Sequence, residues 1–109
     1  MKKFKRFGTA MARRSDFRLV KVAFYGRFSL WGYDWAITRV VNGDRLFTVT
    51  DLETGCNLPS YGESPTEAQQ IAIEDVGFEA GLNGKTICEF LADKFALIRK
   101  KIAEHGVKP

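Results

Sequence analysis

Asn42-Gly43 is the feature that most restricts what this chain can become. It lies within Val41-Asn42-Gly43-Asp44, between two runs rich in β-branched and aromatic residues, Trp35 to Val40 and Leu46 to Asp51. Asn and Gly tolerate positive φ, so this pair between such runs is a strong β-hairpin signal. The register follows from the period of two. An odd number of loop residues puts Trp35, Ile37, Phe47 and Val49 on one face, and Ala36, Thr38, Thr48 and Thr50 with Val40 and Leu46 on the other. An even number mixes the sets. The odd loop, a type I turn with Gly43 in the left-handed region, is therefore expected. It carries one penalty: Arg39 and Arg45 fall on the apolar face near the turn and have to reach its edge.

At 109 residues the chain is one domain, long enough for a core without metal or disulfide. An apolar fraction of 45 %, with nine Phe, argues against disorder over its length. No apolar run is long enough to span a membrane and the N-terminus has no signal-peptide h-region, so a soluble protein is expected. Cys56 and Cys88, 32 residues apart without a metal motif, suit a reducing cytoplasm, here that of a bacterial host. The net charge of +4 conceals a polarity. Through Arg45 eleven Lys/Arg face three Asp, a balance of +8; from Leu46 onward six face ten Asp/Glu, a balance of −4. Such an asymmetry speaks of partners.

Residues 1–16 read as a basic N-terminal arm and 17–109 as a single α+β domain. The arm is either a solubilising terminus or a segment that orders against phosphates or an acidic protein face. Residues 17–25 alternate as a strand with one buried face. Residues 26–34, with Gly26 and Gly32, form a wide turn or a bent continuation of that strand; the aromatic trio Trp31, Tyr33 and Trp35 reads as core. After the hairpin, Asp51 to Gly55 is a turn and Cys56 to Leu58 a short further strand, with Pro59 and Gly62 breaking the chain. Ser64-Pro65-Thr66-Glu67 supplies an N-cap, a proline at N1 and a capping-box glutamate, opening a helix that Gly77 and Gly81 weaken. Thr86-Ile87-Cys88-Glu89 opens a second. There Ile87, Leu91, Phe95, Ile98 and Ile102 form the apolar stripe, Lys94, Arg99, Lys100 and Lys101 face outward, and Gly106 is the stop. The expected fold is an antiparallel sheet of three to four strands followed by two C-terminal helices packed on one face.

Chemistry is sparse. His105, the only histidine, sits beside a helix-terminating glycine and reads as a cap, which leaves no partner for a nucleophile. Cys88 lies in a first helical turn without an activating base. Gly84-Lys85-Thr86 resembles the end of a phosphate-binding loop, but the required earlier glycine is Glu79. Asp34 and Asp51 meet at the open end of the hairpin near Glu53, where strand-end solvation is favoured over a Mg²⁺ site. No enzyme, metal or cofactor is expected. The candidate binding residues are the cations of the N-terminal half: Lys2, Lys3, Lys5, Arg6, Arg13, Arg14, Arg18, Lys21 and Arg27.

Asp51-Leu52-Glu53-Thr54-Gly55-Cys56, followed by Gly62-Glu63-Ser64-Pro65-Thr66-Glu67-Ala68, resembles HicB-type antitoxins. Those fold as a partial RNase H-like unit and neutralise a small RNase. In size and style the chain is also similar to the small single-domain proteins phages use against host machinery, including anti-CRISPR proteins, which act by occupying a surface. Neither resemblance transfers a functional residue. Three functions are expected in this order: a non-enzymatic phage-type interaction protein that binds and blocks a host nucleic-acid-handling complex, a nucleic-acid-binding module that uses the basic arm, and a HicB-like antitoxin. The implied partner is a host protein or nucleoprotein complex, with nucleic acid reached through the arm and no membrane.

Overall fold

A computed structural model describes residues 4–14, 16–40 and 45–105. The fold is α+β. Five strands, β1 (Gly8–Arg13), β2 (Leu19–Leu30), β3 (Tyr33–Arg39), β4 (Phe47–Asp51) and β5 (Asn57–Gly62), precede two helices, α1 (Pro65–Leu82) and α2 (Ile87–Glu104). All neighbours are antiparallel, in the order β1-β2-β3-β4-β5. β3 and β4 pair with Ile37 opposite Val49 and Arg39 opposite Phe47, the odd register. The Asn42-Gly43 turn itself lies outside the described residues. Trp35, Ile37, Phe47 and Val49 are buried together on the helix side.

The sheet has one or two strands more than the sequence suggests, because the expected arm supplies an edge strand. Gly8–Arg13 pairs with β2 from Gly8 opposite Phe24 to Arg13 opposite Leu19. It lacks an alternating apolar pattern, and what holds it is distant in sequence. Arg13 N–H donates to Gly55 O at 2.7 Å, and its guanidinium Nε donates to Thr54 O at 2.6 Å. The bonds join one corner of the sheet to the turn between β4 and β5, so the sheet is strongly coiled. Gly55 fits there with φ +77; a Cβ on it would come within 2.8 Å of Leu19 Cδ2 and 3.3 Å of Met11 O.

Residues 26–34 resolve as a bent strand. β2 bulges at Tyr25 and Gly26, continues to Leu30, and returns through the two-residue turn Trp31-Gly32, with φ of 58° and 85°. Two positive φ values mark the primed turn whose twist suits a hairpin. The aromatic trio is core: Trp35 is fully buried, 6.3 Å from Trp31, 5.9 Å from Tyr33 and 6.0 Å from Phe95 of α2 between ring centroids.

Pro59 does not end β5. β5 is the other edge of the sheet, where a residue without an N–H is tolerated. Its irregular stretch is held by Thr48, whose hydroxyl lies 3.0 Å from Leu58 O and 2.9 Å from Ser60 O. α1 continues past Gly77 to Leu82, because Ala68, Ala72, Val76 and Ala80 recur every four residues and bury a narrow stripe against the sheet. Its cap is half of the expected box. Ser64 Oγ accepts from Glu67 N–H at 3.1 Å, while the Glu67 carboxylate accepts from Glu63 N–H at 3.0 Å. The box at Thr86 and Glu89 is complete. No helix among the described residues is long and apolar enough to cross a membrane.

Candidate anion-binding surface

Charge is unevenly neutralised. Asp16 lies 3.9 Å from both Arg14 and Arg18, and the remaining described ion pairs, Lys85–Asp93 and Arg99–Glu53, belong to the C-terminal half. Lys5, Arg6, Lys21 and Arg27 are exposed without a carboxylate in ion-pair range among the described residues. Arg27 lies over the Phe24 ring and Lys5 over the Phe7 ring. Lys2 and Lys3 lie outside the described residues. Arg13 departs from the expected set: it is 6 % exposed, and besides Thr54 O its guanidinium donates to Phe17 O at 2.7 Å. Its role is structural.

The densest cationic feature is built around Tyr25, on the helix side of β2. The ring stands edge-on to Phe47 with centroids 4.9 Å apart, and Phe4 meets Phe47 from another side at 5.1 Å. The Arg39 guanidinium covers these rings, 4.1 Å from the Phe47 centroid and 5.6 Å from that of Tyr25, and donates to Arg45 O. This is how Arg39 resolves its position on the apolar face: cation–π contact replaces part of its hydration. Arg6 stands exposed in the chain ahead of β1. Burial pushes the Tyr25 hydroxyl up, but hydrogen bonds from Arg6 and Arg39, with their charges, outweigh it and hold the group below its ordinary value. Arg39 thus lies over the Tyr25 and Phe47 rings, the charges of Arg6 and Arg39 both act on the phenol, and neither guanidinium has a carboxylate within ion-pair range among the described residues. Arg39 and Tyr25 were missing from the sequence-based set. The signal was there in Arg39, as a charge that the hairpin register forces onto an apolar face.

At the far end of β1, Arg14 stands between two concavities that share Arg13, Arg14 and Asn57 as boundary. The larger, about 840 Å³, opens on the sheet face that no helix covers, above Val20, Val22, Thr38, Thr48 and Thr50. Its floor is largely self-satisfied: Thr38 Oγ1 and Thr50 Oγ1 are 2.9 Å apart and Thr48 is bonded to β5. The smaller, about 400 Å³, lies between the β1–β2 turn and α2, with Phe17, Leu97 and Ile98 as apolar lining and Arg14, Lys94 and Lys101 as cations. Lys94 and Lys101 went unrecognised in the sequence, where they read as outward-facing helix charges.

The groups with catalytic or metal-binding potential are engaged separately. Asp51 Oδ2 accepts from Thr54 N–H and Oγ1, both at 2.8 Å, which closes the turn after β4. Asp34 accepts from Ser29 Oγ at 2.5 Å, and Glu53 faces Arg99 at 3.6 Å. No three His, Cys, Asp or Glu side chains stand together as a metal site among the described residues. His105 caps α2 and stacks on Phe17 at 4.5 Å. Cys56 is half-buried, and burial raises its thiol above the ordinary range; Cys88 is exposed.

Comparison with protein-family models, curated proteins and solved structures finds no match to the chain.

Proposed function

We propose that this is a non-enzymatic nucleic-acid-binding protein, which holds a phosphate backbone against the cations that flank β1, from Arg6 and Arg39 at one end to Arg14 at the other. The observation that carries the reading is that Arg6, exposed ahead of β1, and Arg39, over the Tyr25 and Phe47 rings, have no neutralising carboxylate among the described residues. Two cations held together repel, and an anion seated between them removes that repulsion and gains charge-assisted hydrogen bonds. β1 is an edge strand whose first residues, Gly8, Thr9 and Ala10, have short side chains, so a backbone can approach closely there, while the Thr54–Gly55 turn covers the edge at Arg13. Six strand residues extend about 20 Å.

The test is fluorescence anisotropy of a labelled mixed-sequence 15-nucleotide oligomer across a salt series. With about four phosphates neutralised, affinity for a single strand falls roughly fifty-fold between 50 and 200 mM salt. The Arg6→Glu/Arg14→Glu variant, changed at two exposed positions, is expected to bind at least tenfold more weakly with a shallower salt slope. Equal binding by the variant, or no binding by the wild type at the lower salt, defeats the proposal.

A second reading, a blocking protein of the anti-CRISPR kind that occupies a host nucleic-acid-handling complex, is favoured by Phe78 and Leu82. They are 66 and 68 % exposed, one turn apart on α1, beside the acidic Asp75 and Glu79. It requires that a partner protein survive nuclease treatment in a pull-down and be lost with Phe78→Lys/Leu82→Lys.

A further inference from the structure

We infer that the cavity between the β1–β2 turn and α2 receives one unpaired nucleotide of the bound strand, its base against Phe17, Leu97 and Ile98 and its phosphate between Arg14 and Lys101. The inference rests on the nucleic-acid reading above and narrows it: the ligand is single-stranded where it passes this end of the molecule. The cavity adjoins the proposed path, since Arg14 both ends it and lines the cavity. Its volume of about 400 Å³ falls in the lower part of the range of small-ligand sites. One base with its sugar-phosphate fits such a space; a base pair, stacked on both faces and tied to a second strand, does not.

The chemistry of the walls matches a nucleotide's two halves. Lys94 and Lys101 are seven residues apart on α2, two turns along one face, and Leu97 and Ile98 lie between them. Neither lysine has an ion-pair partner among the described residues. Leu97 stays 52 % exposed in the middle of this cationic frame, an apolar surface suited to a flat ring. Phe17 adds the aromatic group. Its φ of 67° is in the left-handed region, a strained conformation for a residue with a side chain. Phe17 N–H donating to Arg14 O, Phe17 O accepting from Arg13, and the ring stacked on His105 together hold it there. That turn places an aromatic ring and Arg14 at one cavity.

The experiment compares a labelled 12-nucleotide single strand with a blunt-ended hairpin duplex, for the wild type and for Leu97→Asp. Leu97 is largely exposed, so the variant should melt with the wild type while placing a carboxylate among the lysines. The expected result is single-strand affinity weakened about tenfold with duplex affinity unchanged. Lys101→Glu, at an exposed position, should give the same selective loss and serves where Leu97→Asp proves destabilised. Unchanged single-strand affinity in both variants, or equal weakening towards strand and duplex, overturns the cavity's role and leaves the β1 path standing. A wild type that binds neither probe removes the nucleic-acid reading itself.

Discussion

Replacing Arg13 by alanine separates a docked edge strand from a loose basic arm. The side chain donates to Thr54 O at 2.6 Å and to Phe17 O at 2.7 Å, the first buried and the second partly so. A hydrogen bond to a charged group contributes about 1.5–3 kcal/mol, and a buried carbonyl left without a partner adds its own penalty. Against this stands the cost of burying the guanidinium, which alanine no longer incurs. The net loss is expected to be about 2–4 kcal/mol. For a domain of this size each kilocalorie lowers the melting temperature by about 4–8 °C, so Arg13→Ala should melt at least 8 °C below the wild type. Arg14→Ala, an exposed neighbour whose nearest carboxylate is 3.9 Å away, should move it by less than about 2 °C. Thermal and urea unfolding followed by circular dichroism measure both. Two variants melting together near the wild type would mean that the Arg13 side chain does not anchor β1 at Thr54 and Phe17, and the reasoning about a docked edge strand would fail.

Two glycines should respond with opposite signs to the same substitution. A Cβ on Gly62 would stand 2.5 Å from Ala68 N and 2.9 Å from its Cα, so Gly62→Ala pushes the start of α1 off β5; a loss of about 1–3 kcal/mol or more in urea unfolding is expected. Gly81 meets nothing within 4 Å and lies in the last turn of α1, so Gly81→Ala should stabilise by up to about 1 kcal/mol. Tyr25 supplies a pH signature. Its folded value lies below its unfolded one, so the unfolded chain holds the proton longer as pH rises and the native state gains stability across that interval, at the alkaline end short of about pH 10. Wild type and Tyr25→Phe should therefore keep a constant stability difference at neutral pH, and the wild type should gain relative to the variant on approaching pH 10. A flat difference across the alkaline range would show that Arg6 and Arg39 do not act on this phenol.

What the sequence discloses and what it hides divide by the range of the interactions involved. The β3–β4 register could be deduced because a single slip would put Trp35 and Ile37 on the wrong face, and α2 because its capping box and stripe are local. β1 could not. Gly8-Thr9-Ala10-Met11-Ala12 has no apolar alternation, and its anchor is 41 residues away at Thr54. Local rules also mislead where packing outweighs them. Pro59 signals a break, yet an edge position and the Thr48 hydroxyl let β5 pass through it. Gly77 weakens an isolated helix, yet the Ala68–Ala80 stripe holds α1 to Leu82. For the site, charge alone pointed to Arg6 and Arg14. Arg13 has the same chemistry and a different fate, because its position in β1 turns it into the fold.

Two residues in local conflict with their surroundings, one legible in the sequence and one only in the structure, are the most informative. Arg39 on an apolar face is a local conflict, and such conflicts in an otherwise consistent sequence are where function is to be sought. A leucine or threonine there would serve the hairpin as well and would avoid bringing a second guanidinium to Tyr25. Phe17 in the left-handed region is a second conflict, since glycine or asparagine would turn the chain with less strain. Arg39 lies in β3 over the Tyr25 and Phe47 rings, and Phe17 lines the cavity at Lys101. Each also has a structural role, Arg39 over the Phe47 ring and Phe17 as acceptor for Arg13 and stacking partner of His105. On the proposed nucleic-acid reading, each would in addition place a binding group at one end of β1.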